Sequence, residues 1–122
     1  MHITVTYLKL RSPWKVFQMA KHVGKIQQQA KQSPGFIQMA TTGWWKLWFT
    51  LSAWESEETL KQFARSGAHL EAMKISTQLS PELSTYTFEA AQVPDWKEAK
   101  RLLAAHGKVM RLPSPAKPTP KK

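Results

Sequence analysis

Residues 44 to 54, Trp-Trp-Lys-Leu-Trp-Phe-Thr-Leu-Ser-Ala-Trp, carry four of the six tryptophans in this 122-residue chain. Read with the two-residue period of a strand, Trp45, Leu47, Phe49, Leu51 and Ala53 face one way, and Trp44, Trp48 and Trp54 face the other. An antiparallel strand with one wet side alternates apolar and polar residues, so a strand apolar on both sides needs two covers. The chain is long enough to lay helices on one side. A second subunit, a ligand, or both are expected on the other.

At 14.0 kDa and 42% apolar residues the chain makes one domain with a real core. Cysteine is absent, which excludes disulfides and thiolate metal sites and suits a reducing compartment. No apolar run approaches the roughly 18 residues of a membrane span, and Met1-His2-Ile3 does not open a signal peptide. The expected location is the cytoplasm, with no membrane partner. Charge is unevenly spread within the net +10: no acid precedes Glu55, residues 55–93 are net −3, and residues 94–122 are net +6. Such a distribution suits either a solvated surface with a basic tail or an anionic partner.

Alternation of Ile3, Val5 and Tyr7 predicts a first strand over 2–10. Ser12-Pro13 predicts a helix start, and Val16, Met19, Ala20, Val23, Ile26 and Ala30 recur on one helical face to about Gln32. A turn at 32–35 leads to a strand over 36–41, and Thr42-Gly43 is expected to turn the chain into the tryptophan strand. Ser56 caps a helix with Leu60, Phe63 and Ala64 inside; a second helical stretch is expected from Ala68 to about Thr77. Leu83 to Ala90 reads as the last strand, with Tyr86 and Phe88 facing together. Asp95 and Glu98 open a final helix that ends at Gly107. Domain bounds follow: a folded unit over 1–107 and a basic, proline-rich, disordered tail over 108–122.

Strand, helix, strand, strand, helix, strand, then an extra helix is the α+β, ferredoxin-like βαββαβ arrangement, with helices on one face of a four-stranded sheet. The other face would be bare. With Trp44, Trp48 and Trp54 upon it, the expected cover is a two-fold copy of the chain.

Three segments carry a family resemblance: Ser33-Pro34-Gly35-Phe36; Leu51-Ser52-Ala53-Trp54-Glu55-Ser56-Glu57-Glu58; and Phe63-Ala64-Arg65-Ser66-Gly67-Ala68-His69 with Met73. Together they resemble the dimeric α/β-barrel superfamily, which includes antibiotic-biosynthesis, haem-degrading and spheroidene monooxygenases, and most of all a bacterial family of unknown function within it. The resemblance implies a homodimeric barrel with a pocket between sheet and helices. In haem-degrading members a helical histidine is the axial ligand, and His69 is the residue here that matches its place. Phe63 stands near where those members have a tryptophan, and this chain has no asparagine to match theirs. Both departures argue against haem degradation by that mechanism, and the cofactor is expected to be either none or haem.

His69 reads either as a general base or haem ligand, or as a brace for a broken helix. Trp54 and Phe63 are candidate ligand-binding residues beside it, with Tyr7, Trp48 and Met73 completing the set; ordinary core packing is the competing reading for the aromatics. Glu55, Glu57 and Glu58 are explained by the helix N-terminus. No two histidines stand at i, i+4, so no metal site is expected. The leading function is a small-molecule-binding homodimer, with monooxygenation of an apolar or aromatic substrate as the enzymatic form. Such chemistry needs an apolar, water-poor pocket and one or two polar groups to orient the substrate. Two other classes compete. One is an RNA-binding module using the tryptophan-rich sheet, whose third-strand signature fits poorly because Thr42 precedes Gly43 and Lys46 falls where an aromatic is needed. The other is a dimerisation module without ligand.

Overall fold

The computed structural model describes residues 1–65 and 82–111. In chain order these form β1 (His2–Lys9), α1 (Lys15–Lys31), β2 (Phe36–Trp44), β3 (Leu47–Trp54), α2 (Glu57–Ala64), β4 (Glu82–Glu89), α3 (Trp96–His106) and β5 (Lys108–Arg111). The strands make one antiparallel sheet in the order β2-β3-β1-β4-β5. Its four-strand core has the ferredoxin-like α+β topology. Lys108–Arg111, assigned to the tail by composition, instead pair with Glu82–Thr85 as a fifth strand. The stretch expected to be helical from Ala68 to Thr77 lies outside the described residues.

Local chemistry explains the helix starts. The Ser56 hydroxyl accepts from the Thr59 N–H at 3.2 Å while the Ser56 N–H donates to Thr59 Oγ1 at 3.3 Å, a capping box closed by threonine. Asp95 Oδ1 accepts from the Glu98 N–H at 2.8 Å. Glu57 and Glu58 occupy the first turn of α2. The Lys61 ammonium 2.9 Å from Glu57 holds that carboxyl below its usual range, so the pair contributes at neutral pH and fades as pH falls through the lowered value. Helix α1 begins at Lys15 without a side-chain cap, so Ser12 does not play the expected part. Gly24 lies exposed within α1, and a methyl group there would meet nothing within 4 Å. Gly24→Ala is therefore expected to raise stability by about 0.5–1 kcal/mol, read as a higher urea midpoint at unchanged slope.

Two sequence expectations are corrected. The hairpin turns at Trp45-Lys46, not Thr42-Gly43: Trp44 pairs with Leu47, and Trp45 takes a left-handed φ of 57°. Gly43 belongs to β2, where a Cβ would come within 2.6 Å of the Trp48 ring. Trp44 thus ends β2 and Trp45 leaves the strand.

The second correction concerns the bare sheet face. Ile3 and Val5 of β1 and Leu51 and Ala53 of β3 bury against Ala99 and Leu103 of α3, with Phe49, Tyr86, Phe88 and Trp96 around them. The chain's own C-terminal helix is therefore the second cover. The opposite face carries Trp48 and Trp54, and it too is covered. At one end Leu10 and Met19 pack with Leu8, Val16, Val23 and Trp48; at the other Ala30, Trp54 and Phe63 pack with Ile26, Phe36, Met39 and Leu60. Helix α1 spans both clusters.

Candidate functional site

Between those two clusters the helix-covered face changes character. Strand register places Thr41, Thr50, Thr6 and Thr85 in one row across four strands. Met39, Ser52, Thr4 and Thr87 form the next row. Period two puts both rows on the same side as Trp48 and Trp54. A sheet face beneath helices is ordinarily filled by branched aliphatics; here the middle of the face is a half-buried band of hydroxyls, open to solvent at Thr87.

On the β1–β4 side the hydroxyls satisfy one another. Thr4 and Thr87 are 2.9 Å apart, and Thr6 and Thr85 are 3.1 Å apart, oxygen to oxygen. On the β2–β3 side the pairing fails. Among the described residues neither Thr41 Oγ1 nor Trp54 Nε1, both buried, has a hydrogen-bond partner. A buried polar group left unmade costs about 1–3 kcal/mol. Two on one face are a reservoir that an incoming polar ligand atom would relieve. Thr50, the register partner of Thr41, lies four residues before Trp54 along β3, a backbone rise of roughly 13 Å.

Trp54 is fully buried. Its ring centroid lies 4.7 Å from that of Phe63 and 5.5 Å from that of Phe36, the latter edge-on. The structure thus brings Trp54 and Phe63 together. Trp48 shares their face but stands at its other end, six residues along β3, where its Nε1–H donates to the Trp45 carbonyl at 3.0 Å. Tyr7 lies on the α3 side: its ring meets Phe49 edge-on at 6.2 Å and its hydroxyl donates to Glu82. Tyr7 and Trp54 therefore do not line one cavity. His69 and Met73 lie outside the described residues.

The hydroxyl band was missed in the sequence, although its signal is there. Thr4-x-Thr6, Thr50-x-Ser52 and Thr85-x-Thr87 repeat one spacing in three strands, and antiparallel register brings them into line. Neither His2 nor His106 is placed to hold a haem on this face. His2 pairs with Glu89 at 3.3 Å, the His106 ring packs 5.1 Å from Tyr86 on the other face, and Phe63 is packed against Trp54. Among the described residues no three His, Cys, Asp or Glu groups gather to hold a metal ion. No described helix is long and apolar enough to cross a membrane.

The ferredoxin-like sheet and its helices share the fold of the antibiotic-biosynthesis-monooxygenase type. SnoaB, a cofactor-independent oxygenase from Streptomyces nogalater, superposes with a TM-score of 0.63 at 12% identity, over 77% of this chain and 96% of that one. A Deinococcus radiodurans protein assigned to the antibiotic biosynthesis monooxygenases gives 0.67 at 13% identity, over 78% and 97%. A conserved protein from Methanosarcina mazei Go1 gives 0.66 at 17% identity, over 73% and 92%. At such identities the likeness is one of fold. The chain belongs to the family defined by the domain of unknown function DUF3291, which matches residues 4–111. No curated protein matches it.

Proposed function

We propose that the protein binds an apolar or aromatic molecule between the helix-covered sheet face and α1, and that its activity is monooxygenation of that molecule. The observation that carries this reading is the pair of orphaned buried atoms, Thr41 Oγ1 and Trp54 Nε1, at one edge of a hydroxyl band bracketed by apolar clusters. Two orphaned polar atoms at separate positions on the face suit a ligand that carries more than one polar group. The apolar clusters exclude water, while the hydroxyls and the indole N–H fix orientation. Those are the requirements of an oxygenation in which the substrate itself supplies the electrons. The fold shared with SnoaB, a cofactor-independent oxygenase, supports the same reading. His69, in the segment between α2 and β4, is the proposed general base.

A homodimer belongs to this proposal, with a changed interface. Helix α3 lies over β4 and β1, so the partner would meet the β2–β3 half of that face, around Gln38, Ala40, Thr42 and Phe49. Light scattering should return twice the 14.0 kDa chain mass; a single-chain mass at micromolar concentration would remove the dimer and leave the ligand reading standing.

Thr41→Val tests the ligand site. It keeps the side-chain shape and deletes the orphaned hydroxyl, so the ligand-free protein should gain about 1 kcal/mol, a rise of about 4 °C in Tm. Binding of hydroxylated polycyclic aromatics, followed by quenching of tryptophan emission, should weaken about tenfold. A destabilised variant with unchanged binding would overturn the assignment.

A further inference from the structure

The end of the sheet that holds the β2–β3 turn presents a surface unrelated to the hydroxyl band. A cleft of about 390 Å³ there is lined by Lys9, Leu10, Arg11, Trp44, Trp45, Lys46 and Leu47. The Leu10 N–H donates to the Lys46 carbonyl at 2.6 Å, tying the end of β1 to the turn. Trp44 is 83% exposed, Trp45 60% and Leu47 40%; Trp14 and Phe17, at the start of α1, are 75% and 71% exposed. The Trp14 Cα lies within about 11 Å of that of Arg11, because three peptide units reach no further. Trp14 and Phe17 are one helical turn apart, so they share a side of α1. Two indoles and a leucine thus gather at one end, interleaved with Lys9, Arg11 and Lys46, and Trp14 and Phe17 stand exposed at the near end of α1 beside Lys15.

Trp44, Trp45 and Leu47 alone expose roughly 300–400 Å², within the range of the largest apolar patches that monomers carry. Trp45 is kept at a cost. A β-turn position with positive φ favours glycine, and a bulky residue held there costs about 1–3 kcal/mol. The Trp48 Nε1–H on the Trp45 carbonyl helps hold it. Conformation alone does not account for an indole at this position; its exposed side chain does.

We propose that this end of the molecule docks on an anionic lipid surface, with Trp14, Phe17, Trp44, Trp45 and Leu47 entering the headgroup–acyl boundary and the cations meeting the phosphates. Peripheral contact needs no spanning segment. Tryptophan is the residue that settles at such interfaces, and each nearby Lys or Arg adds attraction to anionic lipid. Glu82, the register partner of Lys9, is the one carboxylate among the described residues in this row, and it accepts the Tyr7 hydroxyl. A second copy fits less well, because a two-fold contact here would set cations against cations. A nucleic-acid strand also fits less well. Successive bases stack along a groove, whereas these indoles sit on a two-residue turn at the sheet's end, beside leucines that offer a base nothing. The inference stands apart from the ligand reading and survives its failure.

The test uses the full chain, whose C-terminal cations are common to every variant. Vesicles of phosphatidylcholine with a minority of phosphatidylglycerol should sediment the protein and shift its tryptophan emission to the blue. Pure phosphatidylcholine should bind about tenfold or more weakly, and added salt should release the protein. Lys46→Ala should weaken binding about fivefold, the equivalent of one cation at the surface. Trp45→Gly should weaken it about tenfold while raising Tm, since glycine relieves the backbone; this variant separates a docking defect from a folding defect. Equal binding to both vesicles, full binding by Trp45→Gly, or preference for a single-stranded oligonucleotide at equal ionic strength would each overturn the proposal. So would a dimer in which iodide fails to quench these indoles before lipid is added.

Discussion

Replacing Trp54 with alanine is expected to cost the fold about 3–5 kcal/mol. The side chain is fully buried, stacked at 4.7 Å on Phe63 and met edge-on by Phe36, with Ala30 of α1 in the same cluster. It is therefore the joint through which β3, α1 and α2 are held together, and deletion of its rings leaves a cavity with walls on three elements. Against the 5–15 kcal/mol typical of a domain, the loss takes a large share of total stability. Denaturant unfolding should show a midpoint far below wild type at unchanged slope. A loss under about 1 kcal/mol would mean that Trp54 borders open space and is not core.

Trp54→Phe divides packing from hydrogen bonding at the same position. It keeps an aromatic ring against Phe63 and removes an Nε1–H that has no partner. Relief of the orphaned donor offsets much of the lost volume, so stability should move by only about 1 kcal/mol either way. Ligand affinity should nevertheless fall about tenfold if that N–H orients the bound molecule. That outcome would reconcile the two readings of Trp54, the rings serving the core and the nitrogen the ligand.

Particular residues show how far the sequence could be read. The period of β3 held: Leu51 and Ala53 do face one way, and Trp48 and Trp54 the other. So did the caps at Ser56 and Asp95, because capping is a local hydrogen bond between residues three apart. What failed was the step from a two-faced strand to its covers. Periodicity states that each side must be buried; it does not say by which element. The amphipathic stripe of α3, Ala99 and Leu103, fits either side of a sheet equally well, and its placement against Ile3 and Val5 is decided by tertiary contacts alone. The turn failed for a different reason. Thr42-Gly43 has turn chemistry, yet the glycine is needed in β2 to let the Trp48 ring pass, and the strain goes to Trp45. Local preference lost to packing.

The hydroxyl band shows the reverse: legible residues, unread. Thr4, Thr6, Thr50, Ser52, Thr85 and Thr87 look like ordinary solvent-facing positions of half-wet strands, which is how alternation presents them. The register alone brings them into line: they are half-buried, Thr87 is exposed, and at Thr41 on the β2 edge the hydroxyl itself is buried. Burial converts a common strand residue into a candidate binding group, and burial is a property of the assembled fold.

Gly35→Ala should cost about 2–4 kcal/mol. Gly35 has a φ of 78°, in the region where an L side chain costs about 1–2 kcal/mol. A Cβ there would also lie 2.6 Å from the side-chain carbons of Thr59, and overpacking of that kind adds about 1–3 kcal/mol. Thr59 cannot readily swing aside, because its Oγ1 accepts the Ser56 N–H and donates to the Ser56 carbonyl at 2.9 Å. The Gly35 carbonyl meanwhile accepts the Glu55 N–H at 2.8 Å, closing the turn onto the end of β3. The methyl group therefore attacks the turn and the α2 cap together. Thr59→Gly in the Gly35→Ala background separates the two costs, since alanine would keep the Thr59 Cβ in the clash: it should recover the clash but not the backbone strain, leaving a deficit of about 1–2 kcal/mol beyond that of Thr59→Gly alone. Additive losses in the double variant would show that the two residues do not meet.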